Sequence, residues 1–278
     1  MRTTHRNSGF TLIELLIVLA ILVLLSSLVI MKLENVQAKS RSSTQAYSLA
    51  DLSHQIQIRQ GLKGQYPCGW DSLMKKPATP MTALVATDLF TKLGPEFQAP
   101  NTILEAAATT LTADQITSIK SSGINMGMLH DEASGVVPSD SGVEMHCFTT
   151  MPSMMGASGL QFVRVIDKSP GSQGLSILVR DFGLNPMMTD DPLVVPPRIA
   201  ANIYVVLGLG NKCTLVGDQI DEAPYFDRTD ARKYYCRALG VFEVPVTGTT
   251  RAKLVGFIGP DGRTKKMSAD DYRKDSGM

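Results

Sequence analysis

Apolar positions crowd into one end of this chain. From Phe10 to Met31 the sequence FTLIELLIVLAILVLLSSLVIM is apolar apart from Thr11, Glu14, Ser26 and Ser27. A helix of that length rises roughly 33 Å, enough to cross a bilayer core. A carboxylate inside such a run, here Glu14, is expensive unless it has a partner. Polar residues take over after Met31, yet neither Pro nor Gly occurs between Phe10 and Gln60, and Leu49, Leu52 and Ile56 recur at helical spacing. One helix of about fifty residues and roughly 75 Å is therefore expected, ended by Gly61 and Gly64. Its lower part, 10–31, is the expected membrane anchor and its upper part, 32–62, the soluble spine of a globular domain over 63–278.

Beyond the spine the pattern changes twice. Tyr66-Pro67-Cys68-Gly69-Trp70 reads as a turn whose aromatics pack on the spine. Residues 75–122 read as a helical and loop-like insertion, with Thr112 and Gln115 forming a capping box ahead of Ile116 and Ile119 and Gly123 as a stop. Strand signals follow at Leu160–Ile166, Leu175–Val179, Asn202–Leu207, Val241–Val246 and Arg251–Ile258, the last two joined as a hairpin. The expected fold class is α+β: a long N-terminal helix packed on a C-terminal antiparallel sheet, with the insertion between them.

Residues 1–9, MRTTHRNSG, form a short polar leader whose Arg2 and Arg6 hold the N-terminus in the cytoplasm by the positive-inside rule. The leader ending in Gly9, then Phe10, then Glu14 within GFTLIELLIVLAIL, resembles the start of type IV pilins and of the pseudopilins of type II secretion. The resemblance covers about the first thirty residues. It implies that a prepilin peptidase cuts after Gly9 and methylates the new amine of Phe10, and that Glu14 sets axial register by pairing with a neighbouring subunit's amine. In the tail, Gly259-Pro260-Asp261-Gly262 with Asp270 and Asp271 resembles the C-terminal loop in which major pseudopilins bind calcium, which makes those three carboxylates the candidate ligands. No other cofactor is expected.

Composition narrows what remains. The formal charge is +1, so bulk attraction to nucleic acid is not expected. Four cysteines, Cys68, Cys147, Cys213 and Cys236, allow three pairings; we favour Cys213 with Cys236 and Cys68 with Cys147. The histidines, His5, His54, His130 and His146, show no known metal-ligand spacing, and Gly208-Leu209-Gly210 reads as a strand-end turn because Cys213 stands where a third glycine would be. Met145, Met151, Met154 and Met155 read as adaptable apolar surface. No hydrolase, metalloprotease or phosphate-loop motif occurs, so no enzyme is expected.

The expected function is a filament subunit of a type II secretion pseudopilus or a related pilus, assembled through its N-terminal helix. It would lie in the bacterial inner membrane as a single-pass protein with its domain outside the cytoplasm. Its partners would be related subunits, the prepilin peptidase, the assembly platform and the bilayer, with no nucleic acid. The alternative is a pilin-like binding module for adhesion or DNA capture at a filament tip. For DNA capture, only Arg228, Arg232, Lys233, Tyr234, Tyr235 and Arg237 interleave basic and aromatic side chains.

Overall fold

A computed structural model describes residues 12–75, 107–130, 142–147, 161–165, 181–183, 201–226 and 235–276. Helix α1 runs Leu12–Lys63, 52 residues without a break, as the absence of Pro and Gly before Gly61 predicts. Glu14 lies in its first turn, where the helix dipole favours a carboxylate. Ser26 and Ser27 turn their hydroxyls inward, donating to Leu22 O at 2.7 Å and Leu24 O at 2.8 Å, so neither polar group interrupts the apolar stretch. Gly64 ends the helix at φ +67°, its N–H donating to Gln60 O at 2.8 Å; that left-handed position favours glycine.

The head is built on an eight-stranded sheet. Its strands are β1 (Trp70–Lys75), β2 (Ala107–Thr110), β3 (Met126–His130), β4 (Gly142–Cys147), β5 (Gln161–Val165), β6 (Asn202–Gly208), β7 (Leu239–Pro245) and β8 (Lys253–Ile258). Strand β6 is its centre. One edge pairs with β7 along the whole strand, from Asn202↔Pro245 to Gly208↔Leu239. The other edge is shared, with β5 at Tyr204 and Val205 and β1 at Gly208. Strand β1 then runs parallel to β3, which pairs antiparallel with β4, while β2 lies outside β5.

Two expectations are corrected here. The sheet is mixed rather than antiparallel, because β1 and β3 run parallel. It also draws strands from residue 70 onward, so Trp70 opens a strand rather than closing a turn. The tail forms α3 (Lys265–Ser276), which follows Thr264, whose Oγ1 accepts from Met267 N at 3.2 Å as a cap. The capping box is present in α2 (Ala113–Ser121), and β7 and β8 form the expected hairpin. The strand expected over Leu175–Val179 and the methionine patch at Met151, Met154 and Met155 lie outside the described residues.

One core joins helix to sheet. Leu49, Leu52 and Ile56 of α1 share it with Tyr66, Trp70, Val205, Leu207, Phe242 and Phe257. Trp70 meets Phe242 edge-on at 5.0 Å and stacks on Phe257 at 6.2 Å, and its indole N–H donates to Pro67 O at 2.7 Å, so burial leaves no polar atom of the ring unsatisfied. Gly240 lies beneath it. A Cβ there would come within 2.9 Å of the indole, which explains a glycine near the start of β7.

The anchor expected over 10–31 is also corrected. Among the described residues, no helix is long and apolar enough to cross a membrane.

Candidate functional site

Helix α1 presents two different surfaces, one covered by the head and one exposed. Along the upper half, Ser42, Gln45, Leu49, Leu52, Ile56 and Arg59 are buried, at spacings that alternate three and four residues. That is one continuous seam. Sequence reasoning found its apolar middle and missed its polar ends, although the same spacing extends through them. At one end Gln45 Nε2 donates to Asp261 Oδ1 at 2.7 Å in a buried contact, so a loop 216 residues away clasps the helix. At the other end Arg59 donates to Thr214 O and Thr214 Oγ1, both at 3.1 Å, and pairs with Asp218, as does Lys63 at 2.6 Å.

Below the seam the helix presents a different face to its surroundings. Leu22, Val23, Leu24 and Leu25 are 53, 67, 66 and 54% exposed, and four consecutive residues at about 100° intervals cover every side of a helix. The sleeve continues from Leu12 to Leu33 and Val36. Glu14 is exposed within it.

At the far end of the head lies a hollow of about 290 Å³ lined by Asn202, Glu243, Pro245, Thr250, Arg251 and Lys253. It borders the β7–β8 turn, next to the end of α1, where Arg251 Nη1 donates to Gly64 O at 3.4 Å. Glu243 is largely buried, accepting from Asn202 Nδ2 at 2.9 Å. A carboxylate floor and two cationic side chains at the wall make it a site for polar, charged groups.

The remaining sequence expectations resolve as follows. Asp261, Asp270 and Asp271 do not form one ligand cluster: Arg263 pairs with both Asp261 and Asp271, and Asp270 pairs with Arg273. Among the described residues no group of three or more His, Cys, Asp or Glu side chains that could hold a metal ion comes together. Asp261 is instead the acceptor that holds α1. Cys213 and Cys236 are not joined, and Cys68 is also a free thiol. The side chain of Cys147 lies outside those described, as do those of His130 and His146. Burial pushes the Cys213 thiol up to about 12, against smaller lowering effects of the Leu215 backbone and Arg59.

Of the basic and aromatic cluster, Arg228, Arg232, Lys233 and Tyr234 lie outside the described residues. Tyr235 and Arg237 are fully buried. Burial, then Asp71, holds the Tyr235 phenol well above its ordinary range. Arg237 donates to Ala223 O and lies 4.0 Å from the ring centre of Tyr225. Both side chains are structural. Gly208-Leu209-Gly210 is the strand-end turn expected, with Gly208 beneath the Tyr235 hydroxyl and Gly210 O accepting from Cys213 N at 3.1 Å.

The filament-subunit reading rested on an N-terminal helix inserted in the membrane, and so did the inner-membrane, single-pass placement. Both are corrected by the absence, among the described residues, of a helix able to cross a bilayer. Gly9 and Phe10 lie outside the described residues. No curated protein and no solved structure matches the chain. The family model for the prokaryotic N-terminal methylation motif matches residues 4–30, so the chain carries the N-terminal signature typical of prepilin- and pseudopilin-type proteins on an α+β head.

Proposed function

We propose that this protein is a pilin-like binding module, processed after Gly9, methylated at Phe10 and displayed at the tip of a filament by its N-terminal stem. The observation that carries the reading is the division of α1. A sleeve exposed on all sides needs apolar partners, and helices of related subunits supply them, while the seam above is already filled by the head. Adhesion is favoured over DNA capture. Tyr235 and Arg237, the described members of the basic and aromatic cluster, are buried away from any ligand. The hollow faces away from the sleeve and is the surface offered to a partner. Its Arg251 and Lys253 suit acidic groups on that partner.

The test is a deletion strain complemented with wild-type protein or with Arg251→Ala plus Lys253→Ala. The double variant is expected to leave filament number unchanged while adherence to the natural surface falls. Loss of filaments on deletion would assign the chain to the shaft and end this reading. Mass spectrometry of the N-terminal peptide should show a methylated Phe10.

A further inference from the structure

Two thiols that sequence reasoning assigned to different partners lie side by side where the loop after α1 meets the loop after β6. Thr214 N donates to Cys68 O at 2.8 Å, and Cys68 N donates to Thr214 Oγ1 at 2.9 Å. With standard peptide dimensions, the first of these bonds holds the Cα atoms of Cys68 and Cys213 to roughly 6 Å. That is within the span of about 4.4–6.8 Å that a disulfide bridges. Cys68 is partly exposed and its Sγ accepts from Met126 N at 3.2 Å, whereas Cys213 is 1% exposed. Cys68 is also close enough to Cys213 to add to the rise of its thiol. Cys236, by contrast, is engaged through its carbonyl with Phe226 N at 3.0 Å.

We propose that Cys68 and Cys213 form a disulfide that locks the end of α1 onto the head, and that the structure is its dithiol form. The oxidant is a small-molecule or protein disulfide. The Cys68 thiol loses its proton and attacks one sulfur of that disulfide, and the other half leaves as a thiolate. The Cys213 thiol then loses its proton, attacks Cys68 Sγ and expels the remaining half, so the protein gives up two electrons and two protons and the oxidant becomes two thiols. The attack requires Cys68 Sγ to leave Met126 N, from which it accepts. The bridge would fix Thr214, and with it the Arg59 contacts that hold the top of the helix. Burial of Cys213 makes the second step the slow one, and it accelerates as pH rises.

The experiment treats reduced, purified full-length protein with oxidised glutathione, blocks residual thiols by alkylation and maps peptides without reduction. A linked pair containing Cys68 and Cys213, lighter by two hydrogens, is expected in wild type and in Cys236→Ser, and should be absent from Cys68→Ser. Cys68 is partly exposed, so Cys68→Ser serves as the folded control even if Cys213→Ser does not fold. Oxidation should raise the melting temperature of wild type and leave that of Cys68→Ser unchanged. A bridge between Cys213 and Cys236, one between Cys68 and Cys147, or alkylation of both Cys68 and Cys213 after oxidation would each overturn the proposal.

Discussion

The two halves of α1 are one unbroken helix with opposite surroundings. From Ser42 upward, one residue in every three or four is buried, and its partners come from residues 66–70, 205–218 and 238–261. From Leu33 downward, the large apolar side chains with a described environment are exposed on every side. The tail helix α3 packs along α1 as well. In the upper half, helix formation and head folding are the same event, because tertiary packing supplies most of a helix's stability. In the lower half, sequence has prepared a surface that the fold of this chain does not use. The division predicts that substitutions above the boundary change folding and those below it change association.

The largest contrast is expected between Leu52→Ala and Leu22→Ala. Leu52 is 2% exposed in the joint core, and truncating a buried leucine costs about 2–5 kcal/mol. Leu22 touches no part of the head core, and its truncation should change head stability by less than about 0.5 kcal/mol. Urea unfolding followed by tryptophan fluorescence reports the head alone, because Trp70 lies in that core. Equal losses in the two variants would dissolve the distinction between the halves.

The dryness of the upper junction can be tested with pH. The Cys213 thiol rises from 9.0 to about 12 in the folded protein, chiefly through burial. Between these values the unfolded thiol ionises while the folded one keeps its proton, so the unfolded state binds fewer protons and stability falls as pH rises. The contribution is whole below pH 9 and lost toward pH 12, with an upper bound of about 4 kcal/mol. Reduced wild type should therefore lose stability more steeply over that window than Cys213→Ala. Parallel curves would mean that water reaches the thiol.

A smaller effect is expected at the polar end of the seam. Gln45→Leu removes the donor that Asp261 accepts from in a buried site, which costs about 1–3 kcal/mol. Hydrogen exchange should quicken in α3, since Thr264 at its start sits in the loop that Asp261 anchors, with Arg263 N donating to Asp261 Oδ1 at 3.2 Å. Unchanged exchange there would show that the clasp is ornamental to the helix's position.

The sequence made the length of α1, the apolar middle of the seam and the β7–β8 hairpin legible, because each is written in neighbouring residues: absent breakers, helical spacing, a short turn. The rest depends on distant partners. Ser42, Gln45 and Arg59 look like solvent-facing residues until Asp261 and Thr214 are brought to them. The parallel pairing of β1 with β3 leaves no turn signal, and β1 itself breaks alternation at a bulge between Asp71 and Met74, where Leu73 takes φ +58°. Three tail carboxylates suggested a cation; Arg263 stands between Asp261 and Asp271, and Arg273 pairs with Asp270. Which cysteines neighbour one another is illegible for the same reason, since adjacency of Cys68 to Thr214 is set by the fold of two loops 146 residues apart.

The smallest effect on folding, and the sharpest test of the lower half, is expected from Glu14→Gln. Glu14 stands 28 positions before Ser42, where the seam begins, or roughly 42 Å along the helix, so head stability should stay within about 0.5 kcal/mol of wild type. Its neighbours Leu12, Ile13, Leu15 and Leu16 are exposed apolar side chains, and when such a surface is covered by other helices the carboxylate is covered with it. A covered carboxylate requires a cation, and the free amine that processing would create at Phe10 of an adjoining subunit is the nearest one available to the proposed assembly. Glutamine keeps the shape and removes the charge. The variant is therefore expected to fold and to be cut after Gly9 normally, but to be depleted from sheared filaments relative to the cell-associated pool. Wild-type recovery in filaments, measured in cells lacking the native copy, would show that the stem associates by apolar contact alone and that Glu14 sets no register.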